Sequence, residues 1–205
     1  MRHSPRQLLL LGVGCVVLGG GVALLLTADL GSDGFSTLVN GVALSTGFSF
    51  WLANLLVSLA FLALAALRRV LPGLGTVVQV MVVGGTASVL LDVLTTPPGG
   101  LGRTAMLALS VPVIAVGIAT YLGSRTGAGP AEAAALAWDP PVPFRWSYSL
   151  VQGGGALAGW LLGATVGVGT VLVILVLGPL VDLTSRLLHL DVHQGGVEVP
   201  SRGRG

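Results

Sequence analysis

Asn54, Gln79 and Gln152 are the residues of this chain best placed to handle a ligand: each is an amide set inside a long apolar run, well away from any charged side chain. A polar group at membrane depth is costly, and by default it is a functional candidate. A carboxamide offers both donors and an acceptor, so three of them could replace the hydration of a solute on its way through. The structural alternative is that they hydrogen-bond across helices and hold a bundle together. Glu132 is the candidate for a charged role. It follows Gly127-Ala128-Gly129-Pro130, where the proline suits the first turn of a short helix and the glycines let another backbone approach. An acid there either caps the free N–H groups of the helix start or carries a proton. Asp92 and Asp182 fall near the ends of apolar runs, where they reach the interface, and Arg186 stands one helical turn from Asp182.

Signals for catalysis are few. His189, Asp191 and His193 offer three metal-ligating side chains in five residues, but short histidine pairs beside a polar tail are usually solvated. No H-E-x-x-H pattern occurs, and Gly167-x-Gly169 lacks both the third glycine and the strand of a dinucleotide site. No Ser–His–Asp or Cys–His set falls at membrane depth. Cys15 is the one cysteine, which excludes an internal disulfide and a cysteine-built metal site. The chain reads as a non-enzyme without cofactor or metal.

Composition decides the solvent these residues live in. The chain has 205 residues, 53% of them hydrophobic and 9% charged, against about 25% charged in a soluble domain. Lysine is absent, and the ten basic residues are arginines scattered one or two at a time. Such scatter is not a nucleic-acid patch. The chain cannot cover a water-facing surface, so it is an integral membrane protein whose first partner is the lipid bilayer.

Six segments approach the roughly 20 apolar residues that a span needs: Leu8–Leu26, Phe48–Leu67, Thr76–Leu94, Thr104–Leu122, Ser147–Leu162 and Thr170–Leu188. The fifth is the shortest. The first, preceded by Arg2 and Arg6, also has the outline of a signal peptide, but its run is long and Thr27-Ala28-Asp29 is a poor cleavage site. Six spans place nine arginines on one side and only Arg103 on the other, so both termini are expected in the cytoplasm. The expected fold is all-α, a single membrane domain over residues 1–188 with a polar, disordered tail over 189–205. Between spans one and two, and again between four and five, the chain reads as a short re-entrant or interfacial helix.

Glycine spacing points to tight packing and to duplication. Gly155, Gly159, Gly163 and Gly167 recur at every fourth position, which on one helix makes a flat face for close helix packing. Gly169-Thr170 and Gly178 echo Gly75-Thr76 and Gly84, both 94 positions apart (169 − 75 and 178 − 84). The loop at Gly127 echoes the loop at Gly31, 96 positions apart (127 − 31), as does Phe144 with Phe48 (144 − 48). The expected repeats cover about 8–95 and 104–188. With three spans in each, the second enters from the opposite side, an inverted repeat of the kind common in secondary transporters. Gly31 and Gly127 then sit at corresponding places on opposite faces, as candidate gates.

Taken in order, Leu30-Gly31-x-x-Gly34-Phe35, Gly73-x-Gly75-Thr76, Thr126-Gly127-Ala128-Gly129-Pro130, Gly159-Trp160-Leu161-Leu162-Gly163, Gly167-x-Gly169-Thr170 and Gly178-Pro179-Leu180 resemble the YczE/YyaS/YitT-type bacterial membrane proteins over about residues 8–188. The resemblance implies a multi-pass cell-membrane protein and no particular activity. Against the family pattern, Gly34 stands in place of a proline, Ser36 in place of an acid, Glu132 in place of an aspartate and Gln152 in place of a glutamate. These departures speak against a mechanism built on paired acids, one in each half. Two functions fit the sequence. One is a small-solute transporter with a path at Asn54, Gln79, Gln152 and Glu132. The other is a non-catalytic assembly or regulatory partner that grips another membrane protein, or its own copy, through the glycine face.

Overall fold

The computed structural model describes residues 3–138, 141–142 and 144–190, without the side chains of residues 144 and 145. Within them the chain forms eight helices and no strand: α1 (Pro5–Ala28), α2 (Gly34–Thr46), α3 (Phe50–Leu67), α4 (Leu74–Val93), α5 (Gly100–Leu122), α6 (Pro130–Leu136), α7 (Phe144–Leu161) and α8 (Val168–Leu187). Five of these, α1, α3, α4, α5 and α8, are long and apolar enough to cross a bilayer. Each coincides with an expected span, as a membrane protein requires. The expected fifth span is the exception. Helix α7 has 18 residues but is not among the five, because Gln152 and the run Gly153-Gly154-Gly155 dilute its apolar content.

Local chemistry sets the helix ends. At the start of α1, Ser4 and Gln7 form a reciprocal cap. The Ser4 hydroxyl accepts from the Gln7 amide at 3.3 Å, and the Gln7 side chain accepts from the Ser4 amide at 2.8 Å. Helix α2 stops at Gly47, whose φ of 73° takes the left-handed turn that glycine adopts without strain.

The centre of the bundle is the antiparallel pair α1 and α5. A methyl group built on Gly21 would meet the Ile114 backbone nitrogen at 2.9 Å, and one on Gly117 would meet Leu18 at 2.6 Å; Gly14 lies against Tyr121 in the same way. In lipid, helices associate by such close approach of small residues. Leu11, Cys15, Leu18, Val22 and Leu25 of α1 interlock there with Leu107, Val111, Ile114 and Tyr121 of α5. Helix α4 packs on α1 and α8 on α5, while α2 lies along α7 and α6 along α3.

Two joints fix the halves of the chain to each other. The loop before α6 holds the start of α4. There the Gly75 amide donates to the Thr126 carbonyl at 2.9 Å and the Thr76 hydroxyl to the Ala128 carbonyl at 2.7 Å. The loop before α2 holds the start of α8, where the Gly169 amide donates to the Leu30 carbonyl at 2.8 Å. Gly31 (φ 100°) and Gly127 (φ 142°) sit inside these joints against Thr170 and Thr76. Beside the second joint Arg103 donates to the Ala28 carbonyl at 2.8 Å, to the Asp29 carbonyl, and to the Asp29 carboxylate at 2.7 Å; the Thr165 hydroxyl reaches the same carboxylate. This is the one ion pair among the described residues. Asp182 and Arg186, one turn apart, do not pair there.

The four-glycine face does not run along one helix. Gly155 and Gly159 lie on α7 against α2, with a methyl on Gly155 reaching the Gly34 carbonyl oxygen at 2.6 Å. Gly163 follows the end of α7 at φ 98° with open space around it, and Gly167 is the residue before α8. The chain leaves the helix after Leu161, since residues 164–167 turn back toward Asp29. Arg2, Asp139, Pro140, Pro143, Asp191, His193, Arg202 and Arg204, and with them the tail from 191 to 205, lie outside the described residues.

Candidate functional site

The start of α2 supplies the first half of the site. Asp33 caps it, its carboxylate accepting from the Ser36 amide at 3.0 Å. Thr37 donates back to the Asp33 carbonyl at 2.8 Å and shares a hydrogen bond with Ser32 at 2.8 Å, which locks the turn. The next free amide, that of Phe35, donates to Gln152 on α7 at 3.1 Å, and the Gln152 amide nitrogen donates to the Tyr148 hydroxyl at 2.8 Å. Gly34 permits this exchange, because its Cα faces the α7 backbone with no room for a side chain.

The start of α6 supplies the second half. Pro130 opens the helix and Glu132 occupies its first turn. The Glu132 carboxyl folds back toward its own amide. Gln79 of α4 reaches the same spot, since a methyl built on Gly129 would lie 2.5 Å from both Gln79 Oε1 and Glu132 Oε2. On α3 the Asn54 amide donates to the Val80 carbonyl of α4 at 2.9 Å, so Asn54 fastens α3 to α4 as well as facing inward.

All four polar residues singled out in the sequence, Asn54, Gln79, Gln152 and Glu132, line one cavity of about 100 Å³. That is room for several waters or one small solute. Asp33, Ser58, Tyr121 and Tyr148 join them, and among the described residues no arginine or histidine lines it. Gly31 and Gly127 do not reach it; they sit in the joints on either side. Both short helices therefore direct an acid toward one space. Asp33 and Glu132 lie outside the spanning helices, and burial raises both carboxyls above their usual range. The negative charge of Asp33 raises Glu132 further. Three cavity-lining residues have a buried oxygen with no hydrogen-bond partner among the described residues, the Ser58 hydroxyl, Gln79 Oε1 and the Tyr121 hydroxyl; outside the cavity the Thr27 hydroxyl is the same.

Asp33, Ser58 and the two tyrosines escape the sequence reading. The signal for Asp33 was a cap residue followed by a small first turn, Asp33-Gly34-Phe35-Ser36. Asp33 and Glu132 place one acid at the start of each short helix, so Gly34 and Ser36 do not leave the cavity without a pair of acids.

Residues 5–186 match DUF6198, a family of unknown function. The chain belongs to that family. The DUF6198 region begins on the first residue of α1 and ends one residue short of the end of α8, so it contains the cavity and both joints. An uncharacterized protein of Haemophilus influenzae is 28% identical over 182 residues, covering 85% of this chain and 83% of that protein. No solved structure matches the chain. For this DUF6198 protein the cavity is thus the feature from which an activity must be argued.

Proposed function

We propose that this membrane protein carries a small solute through a path between two inverted halves, without enzymatic chemistry. The single observation behind this reading is the shared cavity: the starts of two short, non-spanning helices, one from each half, bring Asp33 and Glu132 to the same space. Discontinuous helices that meet at membrane depth are where secondary transporters bind solute. The pairing of elements fits two inverted halves, α1–α4 and α5–α8. In each, the short helix lies along the other half's partner helix, and in each the last helix is held by the other half's loop. Two such halves have two related arrangements of similar energy, each opening the site to one side. On this reading α7 also crosses the membrane, as the fifth of six spans. Tyr148 and Gln152 turn into the cavity and Ser147 is buried, while Ser149 is exposed.

Topology and transport are tested separately. In a Cys15→Ala background, Gly100→Cys and Val166→Cys should react with a membrane-impermeant maleimide from outside the cell, whereas Arg69→Cys and Arg125→Cys should not. Outside reaction at Arg69→Cys overturns both cytoplasmic termini, and protection at Val166→Cys overturns α7 as a span. Purified protein in liposomes should take up at least one solute from a panel of small radiolabelled amines, acids and sugars. If none moves while another membrane protein co-purifies through the α7 face, the assembly-partner reading replaces this one.

A further inference from the structure

We propose that the central cavity binds a small organic ammonium ion, an amine with an apolar body. This inference deepens the carrier reading and rests on it for the claim that the ion is then moved. Four observations converge. Among the described residues the cavity is lined by two carboxyl groups, Asp33 and Glu132, and by no basic side chain, so the fixed charge they supply favours a cation. At the two helix starts, whose N–H groups would otherwise draw an anion, three of these groups already have an acceptor beside them. Asp33 accepts from Ser36, Gln152 accepts from Phe35, and the Glu132 carboxyl turns to its own amide. Three cavity-lining residues keep an unpartnered buried oxygen that can accept a hydrogen bond: the Ser58 hydroxyl, 1% exposed, the Tyr121 hydroxyl, and Gln79 Oε1, which can only accept.

A buried polar group left unpaired costs free energy, and an ammonium supplies the donors these oxygens can accept. Finally, the rings of Phe35, Phe50, Tyr121 and Tyr148 line the same space. Phe61 stacks edge-on against Phe35 at 5.6 Å. Aromatic faces attract cations, most strongly where water is excluded, and they also accept the apolar body. An inorganic cation would leave that apolar lining unused.

The test uses the full-length protein in detergent with three probes of one shape, benzylammonium, benzoate and benzyl alcohol, measured by calorimetry. Benzylammonium should bind about 10- to 100-fold tighter than either of the others, the range for a charge-assisted hydrogen bond in a buried site. The Asp33→Asn, Glu132→Gln double variant should lose that advantage. Asparagine caps a helix as well as aspartate does, and glutamine keeps the shape of Glu132, so the variant is expected to fold; an unchanged elution profile verifies this. Equal or tighter binding of benzoate, no binding of any probe, or full benzylammonium affinity in the folded double variant overturns the proposal. Uptake into liposomes separates the two readings. Benzylammonium binding without uptake keeps the cation site and overturns the carrier. Uptake of benzoate or benzyl alcohol with no response to benzylammonium keeps the carrier and overturns the cation site.

Discussion

Gly34→Ala is expected to remove most of the folded protein from the membrane. The added methyl group would sit against the Gln152 carbonyl, 2.7 Å from the Gln152 Cα. Those atoms belong to the backbone of α7, so no side chain can swing aside, and α2 and α7 must separate. Overpacking of a tight interface costs about 1–3 kcal/mol, and a rigid backbone on the far side puts this case at the upper end. The contact is continued by Gly155, and by Gly159 against Thr37 and Leu38, so separation at Gly34 loosens the whole α2–α7 seam. It also pulls Gln152 from the Phe35 amide and leaves the start of α2 uncapped on one side. The internal control is Gly154→Ala on the same helix, where the methyl would meet open space. Replacing a glycine inside a helix by alanine gains about 1 kcal/mol, so that variant should match or exceed wild type. Monodisperse yield after mild extraction is the measurement. Equal yields for the two variants would sink the argument.

The second large effect is on pH dependence, and its sign differs between the empty and the occupied protein. Burial raises the Asp33 and Glu132 carboxyls in the folded state. In the unfolded chain they titrate in the ordinary range, so over the interval between the two the folded state binds more protons. Stability of the empty protein therefore rises as pH falls through the raised values and levels off below the ordinary ones. A bound cation needs the ionised carboxyls, so its affinity is lost over the same interval, by about tenfold per pH unit for each proton displaced. The other titratable groups facing the acids are Tyr121 on α5 and Tyr148 on α7, with Cys15 of α1 beyond Tyr121. All three are ordinarily neutral in mildly acid to neutral buffer, so they do not reverse the sign. Melting curves with and without benzylammonium, taken from mildly alkaline to acid buffer, should converge as pH falls. The Asp33→Asn, Glu132→Gln variant should show flat curves. A ligand stabilisation that grows toward acid would reject the assignment of these two carboxyls.

How legible all this was in the sequence depends on the residue. Asn54, Gln79, Gln152 and Glu132 announced themselves, because an amide or acid inside an apolar run has few reasons to be there, and all four line one cavity. Asp33 did not, because an acid in a connecting segment looks like any solvated loop residue until the connection is seen to dip inward. The echo of Gly75-Thr76 in Gly169-Thr170 was visible in the spacing. That each copy is held by the other half's loop was not, since hydrogen bonds between residues 51 and 139 positions apart (126 − 75 and 169 − 30) leave no local pattern. The glycine face failed differently. Spacing by four assumes one continuous helix, and the chain leaves α7 after Leu161. The glycines at the centre of the bundle, Gly14, Gly21 and Gly117, carry no such periodicity and were passed over.

The crossed joints also impose an order on synthesis. When α4 enters the membrane its first amides have no partner, because Thr126 and Ala128 are still about 50 residues from being made. At roughly 5–20 residues per second that is a wait of about 3–10 s. The Leu30 carbonyl waits longer still, until Gly169 emerges at the far end of the chain. The first four helices are thus inserted as an unfinished object, with one open helix start and one open loop. Its closure waits for the second half of the chain, so a ribosome that stalls after α4 leaves a fragment with both joints open.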